Sequence, residues 1–161
     1  GKIGKRIAAG NVKKYGSTHT DTRMDKLSFS SFSKKIADAK TPFDWLSRDA
    51  AKVKEYIDDP LCGFVCTSGF FCDLIDGVEM ANDRHLAQNL PADLPMLIIS
   101  GSDDPVGKFG KGVRKVHALY QGCNLEDLSY TLVDGARHEL LNETDRNDTM
   151  EYLETWIVAR I

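Results

Sequence analysis

The sequence lacks the features that would assign it to a membrane, nucleic-acid-binding or disulfide-rich class. No apolar run approaches the ~20 residues that a membrane span needs, and the N-terminal stretch has no signal-peptide core. Lys and Arg total 21 against 24 Asp and Glu, so the basic excess of a nucleic-acid-binding domain is missing. Four cysteines in 161 residues are too few for a disulfide scaffold. We expect a cytoplasmic protein with no integral membrane segment and no nucleic-acid partner.

Recognisable motifs for metals and cofactors are also missing. The three cysteines between residues 62 and 72 do not have the spacing of a common zinc module, and we expect buried thiols there instead. The glycines of residues 107–112 match a phosphate-binding loop only loosely, and no G-K-[S/T] follows them. The sequence therefore predicts neither a metal site nor a cofactor.

The first ninety residues predict short helices joined by loops. Ser47 or Asp49 can cap a helix that carries Val53, Tyr56 and Ile57 on its inner face and ends at Asp59-Pro60. A second helix is predicted over about residues 72–86, with Ile75, Val78 and Leu86 facing inward. The basic residues at the very start of the chain are expected to form a solvated end that can fray, rather than a binding patch; they are Lys2, Lys5, Arg6, Lys13 and Lys14.

After Pro95 the pattern becomes regular. Residues 96–99 form a continuous apolar run, typical of a strand buried on both faces of a parallel sheet, and residues 128–132 alternate as a second strand. An amphipathic helix is predicted between them. Asp145 or Asn147 can cap a last helix, whose predicted apolar stripe is Met150, Leu153, Trp156, Ile157 and Ile161. The order is a parallel β-α-β-α unit, and two such strands alone make a poor sheet.

Each predicted strand runs directly into residues that can carry proton-transfer chemistry. Asp103 and Asp104 follow the first strand, and His138 follows the second. Because active sites of parallel sheets lie at the carboxyl ends of their strands, a carboxylate and an imidazole should meet at one edge. This is the second half of a catalytic triad in the chain order Ser, Asp, His.

From Leu94 onward the sequence resembles the α/β-hydrolases, in the branch of monoacylglycerol lipases, lysophospholipases and S33 serine aminopeptidases. The matching motifs are a G-x-x-D at residues 101–104, a G-x-x-H at residues 135–138 and an acidic residue nearby, Glu143. The resemblance implies that Asp104, rather than Asp103, is the triad acid and that His138 is the base. It also implies hydrolysis of a carboxylic ester, with monoacylglycerol or lysophospholipid as the favoured substrate class.

The resemblance divides the chain into a helical cap or lid over residues 1–90 and the C-terminal part of a hydrolase core over residues 91–161. The cap-like runs are residues 44–49 and 59–64. Cap residues of this family shape the channel for the acyl chain, so Phe64, Phe70 and Phe71 are candidate substrate contacts, with plain core packing as the alternative. The predicted fold class is α/β: a partial α/β-hydrolase fold with a helical cap ahead of the parallel β-α-β-α unit.

The nucleophile motif of the family, G-x-S-x-G, is absent from these 161 residues. Ser68 lacks the preceding glycine, and Ser102 is too close to Asp104 in sequence to be its triad partner. We therefore expect the serine upstream and the chain alone to be inactive, so that an N-terminal half or self-association completes the sheet. The alternative is a non-catalytic, truncated hydrolase module that self-associates or binds a partner. Peptide or thioester hydrolysis by the same site stays open.

Overall fold

The computed structural model describes residues 2–161, which form seven α-helices, two short 3-10 turns and two strands. The helices are α1 (Lys2–Tyr15), α2 (Thr22–Phe29), α3 (Ala50–Asp58), α4 (Ser68–Ala81), α5 (Arg84–Ala87), α6 (Lys111–Gln121) and α7 (Arg146–Val158). The strands are β1 (Met96–Gly101) and β2 (Leu128–Val133), and the 3-10 turns are Ser33–Lys35 and Leu140–Asn142. Helices α1–α5 precede the β1-α6-β2-α7 unit, which confirms the predicted fold class. The proposed division near residue 90 stays a prediction.

The two strands are parallel, and their carboxyl ends coincide. The register runs from Met96 opposite Leu128 to Gly101 opposite Val133. Successive side chains of a strand point to opposite faces, so β2 contacts a different helix with each face. Tyr130 packs against His117 of α6, with ring centroids 4.6 Å apart, whereas its neighbour Thr131 hydrogen-bonds Tyr152 of α7. The sheet is therefore covered by one helix on each side.

The strands are less buried than their sequence predicts. Residues 96–99 are only half-buried, because the sheet within the described part of the chain consists of β1 and β2 alone. The apolar stripe predicted on α7 is also incomplete. Leu153 and Trp156 are half-buried, but Met150 and Ile157 are exposed and Ile161 lies beyond the end of the helix. No neighbouring element covers that side of α7 among the described residues.

Helices α1, α2 and α4 form the main core, and this corrects the prediction of a frayed N-terminal end. The basic N-terminal stretch is not frayed: it is helix α1, its Ala8 is fully buried, and Lys5 Nζ lies 2.9 Å from Glu79 Oε2 of α4. Hydrogen bonds to Asp76 and to the Glu79 carboxylate hold the Lys5 ammonium and raise its pKa. Ala8 packs with Met24 and Phe71 in the centre of this core.

The other helices differ from prediction mainly at their ends. Asp49 caps α3, and its carboxylate accepts the Ala51 N–H at 3.0 Å. Thr67 caps α4, which therefore begins at Ser68 rather than at residue 72. Because α4 ends at Ala81, the predicted inward residues at positions 78 and 86 do not share a helix, and both are exposed. On α3, Val53 is buried as predicted, but residue 57 is exposed.

Candidate active site

The loops that follow β1 and β2 bring Asp104 and His138 into direct contact. Asp104 Oδ2 lies 3.0 Å from His138 Nδ1, and Asp104 is 4 % exposed. Its other oxygen accepts the backbone N–H of Val106 at 2.7 Å, which fixes the carboxylate orientation. The neighbouring Asp103 is exposed to solvent. Of the two candidate carboxylates, the structure brings only Asp104 to the histidine.

The two loops lie so close together that only glycine fits at the end of β1. A Cβ atom on Gly101 would stand 2.0 Å from the carbonyl oxygen of Ala136 and 2.3 Å from that of Arg137. The same approach lets the backbone N–H of Asp103 donate to the Ala136 carbonyl at 2.9 Å. The glycine of the G-x-x-D motif thus permits the contact between the aspartate loop and the histidine loop.

The contact with Asp104 gives the imidazole a defined orientation and charge preference. The hydrogen bond to Asp104 raises the pKa of His138 above its ordinary value, although partial burial opposes it; the nearby Glu139 charge acts in the same direction as Asp104. When Nδ1 carries the hydrogen toward Asp104, Nε2 is the nitrogen left to accept a proton. Within the described part of the chain, the His138 ring is hydrogen-bonded to the side chain of Asp104.

An irregular stretch far upstream forms the other wall around His138. We call residues 44–49 the Trp45 segment. The Trp45 ring packs against the imidazole with centroids 5.1 Å apart, and the Trp45 carbonyl accepts the His138 backbone N–H at 3.3 Å. The next carbonyl, of Leu46, accepts the Glu139 N–H at 2.7 Å. Periodicity arguments miss this contact because the segment is neither helix nor strand.

An apolar cavity of about 320 Å³ is lined by Trp45 and by residues of α2, α3 and α4. We call it the aromatic cavity; it is lined by Asp25, Phe29, Phe43, Trp45, Tyr56, Leu61, Cys62, Gly63, Phe64, Cys66 and Phe70. Because Trp45 also touches His138, the cavity lies beside the Asp104–His138 pair. The size and lining are typical of sites that take the apolar part of a small molecule.

The three candidate phenylalanines occupy different environments. Phe64 and Phe70 line the aromatic cavity and are exposed by 62 % and 43 %, whereas Phe71 is 1 % exposed and packs in the core with Met24. Phe71 therefore cannot contact a molecule in the cavity. One residue along a helix rotates the side chain by about 100°, which separates Phe70 from Phe71.

The clustered cysteines are less buried than predicted. Cys62, Cys66 and Cys72 are all half-buried, and the first two line the aromatic cavity. Burial raises the pKa of the Cys66 thiol, so it lines the cavity as a neutral group. Within residues 2–161, no three His, Cys, Asp or Glu side chains lie close enough to hold a metal ion.

A larger depression, about 570 Å³, is also lined in part by the Trp45 segment, through Asp44, Ser47 and Arg48. Its walls include the charged side chains of Lys40, Lys54 and Asp44. Arg48 and Arg137 also border it, but both are engaged in contacts within the protein. Neither space is lined by Asp104 or His138. The lining of the aromatic cavity includes Trp45, whose ring packs against His138, and we therefore associate that cavity with the candidate site.

Two serines lie near polar partners but are not activated by the histidine. Ser68 is fully buried and donates to Asp21 Oδ2 at 2.8 Å, inside the α1–α2–α4 core. Ser102 accepts the backbone N–H of Gly135 at 2.8 Å. Both hydroxyls therefore have structural hydrogen bonds, and within residues 2–161 neither is hydrogen-bonded to His138.

The sequence matches the family described as "Serine aminopeptidase, S33" over residues 8–145. That match covers more than half of the chain and includes both Asp104 and His138. The chain belongs to the serine aminopeptidase S33 family. No curated protein sequence matches it.

Solved structures of other proteins share the fold of this S33 chain. A thermostable carboxyl esterase from Bacillus coagulans, in complex with glycerol, aligns with a TM-score of 0.84 and 23 % identity over 98 % of this chain. A lipase in its open form aligns with a TM-score of 0.85 and 25 % identity over 96 % of the chain. A monoacylglycerol lipase from Paleococcus ferrophilus aligns over 100 % of it, with a TM-score of 0.70 and 17 % identity.

The S33 chain spans about half the length of these proteins, since the alignments cover 50 %, 50 % and 53 % of their chains. Within residues 2–161, no helix of the structure is long and apolar enough to cross a membrane.

Proposed function

We propose that this chain contributes the acid and the base of a serine-type carboxylic ester hydrolase, with Asp104 and His138 in those roles. The observation that carries the proposal is the 3.0 Å contact between Asp104 Oδ2 and His138 Nδ1 at the carboxyl ends of two parallel strands. The esterase and lipases of the same fold support the reaction class. The nucleophilic serine would lie on a segment outside these 161 residues.

Each group has a defined task in this mechanism. The Nε2 atom of His138 takes the proton of the serine hydroxyl as the oxygen attacks the ester carbonyl, and then gives it to the departing alcohol. Asp104 keeps the Nδ1 hydrogen in place and stabilises the imidazolium that forms in between. The raised pKa of His138 is the direction expected for an imidazole that must hold a proton during the reaction.

The aromatic cavity supports an apolar acyl group as the substrate portion bound here. Phe64 and Phe70 form part of its wall, and Trp45 lies between the cavity and the imidazole. A chain of methylene groups entering the cavity would leave water, and this transfer is favourable by about 0.8 kcal/mol per group. We propose a monoacylglycerol or lysophospholipid as the substrate class.

The test uses the protein with its upstream, serine-bearing segment and measures hydrolysis of p-nitrophenyl butyrate and a monoacylglycerol. We expect Asp104→Asn and His138→Ala to lower kcat by roughly 10³-fold or more. Asp103→Asn is the matched control, because its side chain is exposed on the same loop, and we expect near-normal activity. Full activity in either the Asp104 or the His138 variant would contradict the proposal. Faster cleavage of a peptide anilide or a thioester would instead change the acyl substrate class.

The half-buried sheet supports a second candidate function. Residues 96–99 are only half-buried in the two-stranded sheet, and unpaired strand edges invite pairing with another chain. A non-catalytic module that self-associates or binds a partner would use this surface. Sedimentation of the chain distinguishes the two candidates. A species that stays monomeric at all concentrations counts against self-association. A defined dimer that does not dissociate when the upstream segment is added supports it.

A further inference from the structure

A fully buried carboxylate, that of Glu143, lies behind the histidine loop. Its side chain is 0 % exposed and accepts four N–H groups. One oxygen accepts the backbone N–H groups of Arg48 at 3.1 Å and of Arg137 at 2.8 Å. The other accepts Arg48 Nε at 2.9 Å and the backbone N–H of Thr144 at 3.1 Å. A buried ionised carboxylate is tolerated because its hydrogen bonds and its cation are provided together.

These donors come from two separate parts of the chain. Arg48 belongs to the Trp45 segment, and Arg137 immediately precedes His138 in sequence. A second hydrogen bond reinforces the junction: Ser47 Oγ donates to the Asn142 carbonyl at 2.8 Å. The Glu143 carboxylate therefore joins the backbone at Arg137, next to His138, to the Trp45 segment, whose Trp45 ring packs against the imidazole.

The consequence for His138 is that its backbone has little freedom. Its own N–H is bound to the Trp45 carbonyl, and the flanking N–H groups of Arg137 and Glu139 are bound to Glu143 and Leu46. Proton transfer depends steeply on geometry, and a 1 Å displacement of a catalytic group can cost about 10²-fold in rate. The Arg48–Glu143 pair is thus placed to set the direction in which the imidazole points.

We propose that Glu143 and Arg48 are positioning residues for His138, which hold its loop against the Trp45 segment so that Nδ1 faces Asp104. The inference rests on the proposed function. A merely structural role would hold the same segments together without affecting the imidazole, so the test must observe the ring itself.

The first readout is the pKa of the His138 ring, which an NMR titration of the 161-residue chain measures. The charged groups acting on the ring are Asp104 and Glu139. In Glu143→Gln the side-chain shape is kept, but an NH₂ group replaces one carboxylate oxygen. The two N–H groups that this oxygen accepted then face another donor. We expect the pKa of His138 to fall toward its ordinary value of about 6.5 as the contact with Asp104 loosens.

The second readout is catalysis with the upstream segment present. We expect Glu143→Gln and Arg48→Lys to lower kcat by about 10–100-fold while KM changes by less than about threefold, because the acyl cavity is untouched. Asp127→Asn is the matched control. Its carboxylate also pairs with an arginine, Arg160, at 2.6 and 3.0 Å, but the pair lies at the opposite end of β2 from His138.

A folded Glu143→Gln protein with the wild-type His138 titration and wild-type kcat would overturn the inference. If that variant fails to fold, Arg48→Lys decides by the same two readouts, because the Arg48 side chain is 31 % exposed and its charge is retained. The two proposals fail in different ways. Activity surviving in His138→Ala refutes the proposed function, whereas activity lost in His138→Ala but kept in the Glu143 and Arg48 variants refutes only the positioning role.

Discussion

Substituting Gly101 by alanine should separate the two halves of the candidate site. The added Cβ would lie 2.0 Å from the Ala136 carbonyl oxygen and 2.3 Å from that of Arg137, where ordinary contact begins near 3.4 Å. Both oxygens are backbone atoms, so the clash cannot be relieved by a rotating side chain. The histidine loop must move by more than about 1 Å, and a hydrogen bond that starts at 3.0 Å does not survive such a shift.

The expected cost of this overpacking is about 1–3 kcal/mol in the free energy of unfolding. For a chain of this length it corresponds to a fall in Tm of roughly 2–12 °C. Thermal unfolding followed by circular dichroism measures the loss of stability, and NMR titration of His138 measures the loss of its contact with Asp104. We expect the pKa of His138 to drop together with Tm.

Gly77→Ala is the matched control for the same chemical change. Gly77 lies within α4, and a Cβ there meets nothing within 4 Å. Alanine is favoured over glycine in a helix, so this variant should gain up to about 1 kcal/mol without changing the His138 titration. A Gly101→Ala protein that is as stable as wild type and titrates normally at His138 would refute the reasoning from loop packing.

Three further predictions concern the core and the charges. Phe71→Ala should cost about 3–5 kcal/mol of unfolding free energy in urea denaturation, whereas Phe70→Ala on the cavity side should cost much less; equal losses would contradict the assignment of Phe71 to the core. Asp104→Asn should lower the pKa of His138. A raised histidine pKa stabilises the fold at pH values below the unfolded pKa near 6.5, so the loss of stability in the variant should be largest in acid and should shrink as the pH rises. A loss of stability that grows above about pH 7 would contradict this sign. Burial acts to raise the pKa of Asp21, but its hydrogen bonds outweigh burial and lower the pKa. The stability that the Asp21 carboxylate contributes is therefore present above about pH 4 and is lost as the pH falls further. The stability of Asp21→Asn should depend less on pH in that range, and a pH dependence equal to that of the wild type would count against this reasoning.

The regular half of the fold could be predicted because its determinants are local in sequence. The apolar run of β1 and the alternation of β2 indicate two parallel strands, and parallel strands end at one edge. Asp104 and His138 follow those ends, so their proximity could be expected from the sequence. Their catalytic role stays a prediction.

The elements that sequence periodicity misread depend on distant contacts. The basic side chains of α1 that the structure describes are solvated as predicted, yet the stretch is not frayed, because its Ala8 face packs against α2 and α4. The Trp45 segment has no periodicity, and it is held by hydrogen bonds to residues about ninety positions later. Phe70 and Phe71 look equivalent in the sequence, but α4 starts earlier than predicted and turns only Phe71 into the core.

The most direct test of the central claim is intact-mass analysis after incubation with a fluorophosphonate probe that labels activated serines. The S33 chain is treated alone and together with the upstream, serine-bearing segment that we propose. We expect no adduct on the 17.9 kDa chain. The upstream segment should be labelled, and this labelling should require His138. An adduct on a serine of this chain, or labelling of the upstream segment that His138→Ala leaves undiminished, would contradict the account.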